Sequence, residues 1–430
     1  MRFFVLLLCP FLFAASWKVV DSEPLSSVPK KSWVYELAEK VFLWEPLSLH
    51  YDANDECSQE SVKTSLENSQ SLSLWSQEFQ KLQITCESRW RRQRATAEIL
   101  NLRSLYFKNE YWLDKRITPL EFDLQNGSKV RAMLGVQEGE ESRPLVVFRC
   151  GIFCNSSRAF AEKSMIASYF NDNKKYHFLL IGSSTGAEQL ELNHKVGVGA
   201  STEGPENLEI IETLKTQNME LMKKVSSVHL VGVSLGANGV LLAHSLQKEK
   251  NPLYSSFTVF CPVVKLKETL IEMTKSDVDA YVFGAWFWYR LRKAQEFVPE
   301  LHALFEKINY FEFHKFARLW IEKAPQLAKD QNANNEEFWK ANDMTVQWGS
   351  GSTPLKPYPL LIVGSTNDFI PRSVNFEELE KYVSPLNPNL GVIDFPEAGH
   401  CALTLAYDWK LVSNILHGVI DRYSSHAGKL

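Results

Sequence analysis

The chain has 430 residues, 45% of them hydrophobic and 12% aromatic, enough for a large core in several domains or one elaborated domain. Its formal net charge of −4 is small. That rules out the strong basic field expected of a nucleic-acid binder, and no internal repeat points to a solenoid.

The chain opens MRFFVLLLCPFLFAASWKVV, with one arginine before an apolar run and small residues after it. This layout predicts a secretory signal peptide over residues 1–16, with Ala14, Ala15 and Ser16 at the cleavage site. The protein is therefore expected to be exported, periplasmic or secreted; an uncleaved N-terminal membrane anchor is the alternative. Leu8 before Cys9 argues against a lipoprotein signal. No later stretch is long and apolar enough to suggest a membrane span. The mature chain would keep Cys57, Cys86, Cys150, Cys154, Cys261 and Cys401, an even set compatible with disulfides in an oxidising compartment. Their pairing is open. Cys57 with Cys86 would staple the N-terminal region, and Cys150 with Cys154 would be a local bridge. Buried free thiols are the other reading.

Residues 17–116 read as an N-terminal helical extension. SWVYELAEKVFLWEPL and SLWSQEFQKLQITCESRW carry apolar residues at three- and four-residue spacing. The polar stretch between them, HYDANDECSQESVKTSLENSQS, reads as a loop. Trp75, Trp90 and Trp112 either pack on the main domain or offer a docking surface for a partner or a membrane.

The period changes near residue 117. TPLEFDLQNGSKVRAMLGV alternates around Asn126–Gly127, the signature of a tight β-hairpin. PLVVFRC, YHFLLIG, SVHLVGV, SFTVFCPV, YPLLIVG and LGVIDF follow as short apolar strands, mostly with helical segments between them. Such alternation predicts an α/β fold with a mostly parallel sheet covered on both faces over residues 117–430. Within it, residues 265–355 lack a strand and read as a helical cap insertion. Its aromatic run YVFGAWFWY suits either an apolar cleft or an ordinary helical core.

Two stretches read G-x-S-x-G, around Ser184 and Ser234. This pattern after a strand and before a helix makes a nucleophile elbow: the flanking glycines admit close backbones, and the serine stands exposed on a strained turn. LGANGVLLAHSLQKEK after Ser234 keeps helical periodicity, whereas the chain after Ser184 dissolves into glycines and polar residues. Ser234 is the expected nucleophile and Ser184 a turn residue.

From about Thr118 onward the chain resembles the α/β-hydrolase superfamily, and GVSLGANGVLL resembles the elbow of its YheT-like esterase branch. The resemblance implies an acid and a histidine downstream, in that order. Asp368 in LLIVGSTNDFIPR and His400 in VIDFPEAGHCAL occupy those places, each just past a strand. Asp394 and Glu397 are rival acids, while Ser365, Thr366 and Asn367 carry no carboxylate. The other histidines precede Asp368, or lie in the last helix (His417) or the tail (His426). The resemblance also implies an oxyanion hole from the backbone N–H groups of Leu235 and Ile152, with Cys150 where the family often has histidine and a Cys150–Cys154 bridge to stiffen the loop.

These elements imply a serine esterase with a Ser234–Asp368–His400 triad acting on apolar ester or lipid substrates. The same triad would serve an amidase, peptidase, thioesterase or acyltransferase. The other class is a catalytically degenerate binding protein on this fold. Metal-ligand motifs and phosphate loops are missing from the sequence, so neither metal nor cofactor is expected. The expected partner is an ester or lipid substrate, not nucleic acid; contact with a membrane surface through the extension or the cap is the alternative use of those regions. Nothing in the sequence bears on oligomeric state.

Overall fold

The computed structural model describes residues 15–20, 56–91, 116–156, 175–292, 294–306, 308, 312–328, 335–349, 357–370, 374–377, 379, 388–401, 407 and 409–424. The body of the predicted signal peptide and Trp112 lie outside them.

The described strands form one nine-stranded sheet in the order β1-β2-β3-β5-β4-β6-β7-β8-β9. Ser16–Val19 (β1) pairs antiparallel with Ile117–Asp123 (β2), which turns into Lys129–Gly135 (β3). The turn falls at Asn126–Gly127 as expected, with Gly127 at φ +78° and its N–H donating to the Leu124 carbonyl (2.9 Å). β3 pairs antiparallel with His177–Ile181 (β5). From there the sheet is parallel: β5 with Arg143–Arg149 (β4), then Val225–Val233 (β6), Ser256–Phe260 (β7), Leu360–Ser365 (β8) and Leu390–Phe395 (β9). The edge strand at Ser16–Val19 was not expected; its sequence, SWKV, is too short to show a period.

The parallel strands are apolar on both sides because both faces are covered. Val146, Phe148, Val231 and Val233 face one core, and Leu145, Val147, Val228 and Leu230 the other. Gly199–Gln217 (α4) and Leu235–Leu246 (α6) pack together over the second face. Gln59–Asn68 (α1), Leu72–Trp90 (α2) and Trp409–Ser424 (α13) join the first. α2 buries Trp75, Phe79, Cys86 and Trp90 on one stripe, and the Phe79 ring lies 5.9 Å from that of Phe395 in β9. Large aromatic side chains buried in this way each stabilise the contact by about 1.5–3 kcal/mol.

α1 lies in the polar stretch read as a loop. Ser58 caps it, accepting from the Ser61 N–H (3.1 Å), and Val62 and Leu66 are buried one turn apart. Two apolar residues in a polar segment give too weak a period to read, yet Cys57 is bridged to Cys86 and holds the helix against α2.

Ala187–Asn193 (α3) follows β5, and Met219–Lys223 (α5) precedes β6. Between β7 and β8 the described elements are helical: Leu266–Met273 (α7), Asp277–Leu291 (α8), Pro299–Phe305 (α9), Phe313–Leu327 (α10), Asn335–Ala341 (α11) and Met344–Gly349 (α12). Phe287, Phe316 and Trp320 build a third apolar cluster there, which reaches Phe153 and Leu235 at the ends of the parallel strands. No helix among the described residues is long and apolar enough to cross a membrane.

Candidate active site

β6 ends at Val233 and α6 begins at Leu235, so Ser234 must reverse the chain alone. It does so at φ 53°, ψ −119°, a conformation that L-residues rarely adopt. The flanking glycines make the turn sterically possible. A Cβ on Gly232 would meet the Ala237 Cα at 2.8 Å, and one on Gly236 would meet the carbonyl oxygens of Arg149 and Cys150 at 2.5 Å. The Ser234 N–H donates to the Phe260 carbonyl at the end of β7 (3.0 Å), which pins the elbow to the neighbouring strand.

Ser234 Oγ lies 2.8 Å from His400 Nε2. On the other side of the ring, His400 Nδ1 lies 3.0 Å from each oxygen of Asp368. The three residues expected from the sequence therefore converge, from the ends of β6, β8 and β9. The His400 and Asp368 side chains keep only 13% and 11% of their exposure, which shields their hydrogen bond from water. The rival acids are placed elsewhere: Glu397 pairs with Arg91, and Asp394 stands in β9 in register with Gly364.

Ser184 is buried and its hydroxyl donates to Glu203 Oε1 (2.9 Å), as does its N–H (2.9 Å). The second G-x-S-x-G is thus part of a buried polar network. Arg149, fully buried, faces Glu203 (3.3 Å) and Glu206 (2.7 Å). Burial alone would lower the Arg149 pKa, but the two carboxylates outweigh it and hold the guanidinium above its ordinary range. Burial pushes the Glu206 carboxyl up, against the pull of Arg149. Thr185 continues the network, accepting from the Phe153 N–H (2.7 Å).

The loop after β4 is closed by a Cys150–Cys154 disulfide and by the Cys154 N–H donating to the Gly151 carbonyl (3.2 Å). A Cβ on Gly151 would lie 3.2 Å from Ser234 Cβ. Gly151 thus flanks the serine, and Ile152 is the next residue of the loop. Leu235 opens α6, where first-turn N–H groups lack intrahelical partners.

The mixed sheet order and the strained serine turn between β6 and α6 define the fold. It is the α/β-hydrolase fold. No protein-family model matches the chain, and no curated protein matches it. Solved structures resemble it at a distance. A hydrolase of Legionella pneumophila is 13% identical with a TM-score of 0.46, covering 77% of this chain and 95% of its own. Pyrococcus furiosus esterase Pf2001 is 15% identical with a TM-score of 0.44, covering 72% and 93%. Pyrococcus horikoshii acylaminoacyl peptidase is 13% identical with a TM-score of 0.41, covering 72% of this chain and 42% of its own.

Two features at the site were missed in the sequence. Ser365 and Asn367, set aside for lacking a carboxylate, tie the acid loop to the histidine turn: Ser365 Oγ accepts from the Ala398 N–H (2.8 Å) and Asn367 Oδ1 from the Gly399 N–H (2.7 Å). A third disulfide, Cys261–Cys401, joins the residue after β7 to the residue after His400. The available signal was the even set of six cysteines, of which the two named pairs leave Cys261 and Cys401. Cys261, Cys401 and His400 also cluster as metal ligands would, but sulfurs bonded to each other offer no thiolate to a metal.

Proposed function

We propose that the protein is a serine hydrolase that cleaves carboxylic esters through an acyl-enzyme. The observation that carries this reading is the Ser234 Oγ to His400 Nε2 distance of 2.8 Å, with Nδ1 held by both oxygens of Asp368. His400 takes the hydroxyl proton as Ser234 Oγ attacks the ester carbonyl. Asp368 orients the ring and stabilises the imidazolium. The N–H groups of Leu235 and Ile152 hold the tetrahedral oxyanion. His400 then protonates the departing alcohol, and water, deprotonated by the same ring, releases the acid.

The apolar border of the site supports an apolar ester or lipid substrate. Phe369, 65% exposed, stands 5.3 Å from the His400 ring and 6.3 Å from Phe283 of α8. Trp286 of the same helix meets Phe153 at 5.1 Å. In this reading the helices between β7 and β8 are the cap, and exposed Val278, Val282 and Tyr289 favour contact with a membrane surface. The three disulfides favour export, since such bridges persist in oxidising compartments. A chain starting at Trp17 keeps most of β1. Likeness of the elbow to the YheT-like branch rests on GVSLGANGVLL.

The test is labelling by a fluorophosphonate probe and hydrolysis of p-nitrophenyl esters of several chain lengths beside p-nitroanilides. Ser234→Ala should abolish labelling and lower the rate on the order of 10³-fold or more, while Ser184→Ala keeps both. Wild type that neither labels nor turns over any ester refutes the reading, and faster anilide cleavage reassigns it to an amidase or peptidase.

A further inference from the structure

His400 leaves β9, and Ser234 leaves β6, with β7 and β8 between them in the sheet. At about 4.8 Å per strand, the histidine turn must reach across roughly 14 Å of sheet edge. Hydrogen bonds from Ala398 and Gly399 fasten the turn to Ser365 and Asn367, at the end of β8. They bridge one strand of the gap. The bridge between Cys401 and Cys261 spans the next, because Cys261 immediately follows β7.

The β7 end is also where the nucleophile is held. The Phe260 carbonyl accepts from the Ser234 N–H (3.0 Å), and the Cys261 N–H donates to the Val363 carbonyl of β8 (2.7 Å). The disulfide therefore connects the turn carrying the base to the peptide that fixes the nucleophile. Its sulfur is close to the reacting atoms: Cys401 Sγ lies 3.7 Å from His400 Nε2. Both half-cystines adopt left-handed backbone, Cys261 at φ 42° and Cys401 at φ 55°, a conformation costly for residues with a Cβ and held by its surroundings. Opening the cross-link removes one restraint on these dihedrals and leaves the hydrogen bonds to Ser365 and Asn367 as remaining ties of the turn.

We propose that the Cys261–Cys401 disulfide is a positioning device for His400, and that its reduction switches the site off. The inference rests on the reading of Ser234 as nucleophile. Cys401 is only partly buried, so a small dithiol can reach the bridge. The dithiol gives two electrons and two protons to the disulfide and closes to a cyclic disulfide itself, leaving Cys261 and Cys401 as thiols.

The experiment compares oxidised wild type with Cys261→Ala/Cys401→Ala and with Cys57→Ala/Cys86→Ala, which removes the bridge joining the start of α1 to α2. Each is tested for fold by circular dichroism and thermal melting, for fluorophosphonate labelling, and for kcat and KM on one p-nitrophenyl ester. Misplacing a catalytic group by about 1 Å costs on the order of 10²-fold. Cys261→Ala/Cys401→Ala should lose kcat on that scale with KM within about twofold, while Cys57→Ala/Cys86→Ala loses melting temperature and keeps kcat. In wild type, dithiothreitol should lower kcat in step with alkylation of Cys401, and reoxidation should restore it. This cycle decides the matter if the first variant does not fold. Unlabelled, inactive wild type overturns the hydrolase reading and this inference with it. Labelled wild type overturns the inference alone if Cys261→Ala/Cys401→Ala keeps its kcat, or if loss of kcat follows opening of Cys150–Cys154 with Cys261–Cys401 intact.

Discussion

Asn367 and Gly399 are joined by a hydrogen bond, the Gly399 N–H donating to Asn367 Oδ1 at 2.7 Å. Each immediately precedes a member of the candidate triad, Asp368 and His400. The same amide oxygen accepts from Ser365 Oγ (2.7 Å), whose own oxygen accepts from the Ala398 N–H. Acid loop and histidine turn thus move as one piece. Asn367→Ala should cost about 1 kcal/mol of stability and lower kcat roughly tenfold, with KM little changed. Asn367→Asp, which keeps the acceptor, should recover most of the rate. Steady-state kinetics on one ester checks both.

Gly236 is the glycine whose loss should reach the chemistry. A Cβ there would lie 2.5 Å from the backbone oxygens of Arg149 and Cys150, and backbone does not yield as a side-chain tip does. Gly236→Ala should push the Cys150–Cys154 loop off Ser234, costing about 1–3 kcal/mol and on the order of 10²-fold in kcat. Gly127→Ala is the contrast: its φ of +78° makes alanine strained, but the space around it is open. It should cost about 1 kcal/mol and leave kcat unchanged. Chemical denaturation beside ester kinetics separates the two.

Arg149 holds two buried carboxylates under the loop after β4. Arg149→Met leaves Glu203 and Glu206 facing each other without the guanidinium between them. It should destabilise the protein by about 3–5 kcal/mol, read as a shift of the urea midpoint. Replacing all three by apolar residues should recover little of that loss, because the buried N–H and hydroxyl of Ser184 lose their acceptor with Glu203.

Two buried histidines predict acid sensitivity. Burial lowers the His229 pKa to about 3 and the His417 pKa to about 4, below the ordinary 6.5. Between 6.5 and those values the unfolded chain binds protons that the folded chain refuses. Their contribution is complete above pH 6.5 and is lost as the pH falls toward 4, by up to about 1.4 kcal/mol per pH unit for each ring. Glu206, whose pKa is raised, acts in the opposite sense over its own range. Urea unfolding at pH 7, 6 and 5 should show stability falling, and His417→Gln should make the fall shallower.

Much of this molecule was legible as sequence because its signals are local. The hairpin announces itself by alternation around Asn126–Gly127, and the buried strands by short apolar runs. The elbow is visible because only glycine fits at 232 and 236 once Ser234 takes its strained dihedrals. The chain order implied by the α/β-hydrolase resemblance then pointed to Asp368 and His400. The rest needed tertiary structure, since it depends on which distant segments meet. Ser184 and Ser234 carry the same pattern; helical periodicity after Ser234 already favoured it, but the partners Glu203 and His400 come only from packing. Ser365 and Asn367 have no reactive group, and their importance comes from backbone N–H groups about thirty residues away. Cys261 and Cys401 are 140 residues apart, and nothing local pairs them. They meet because the parallel sheet brings the carboxyl ends of β7 and β9 within a strand of each other.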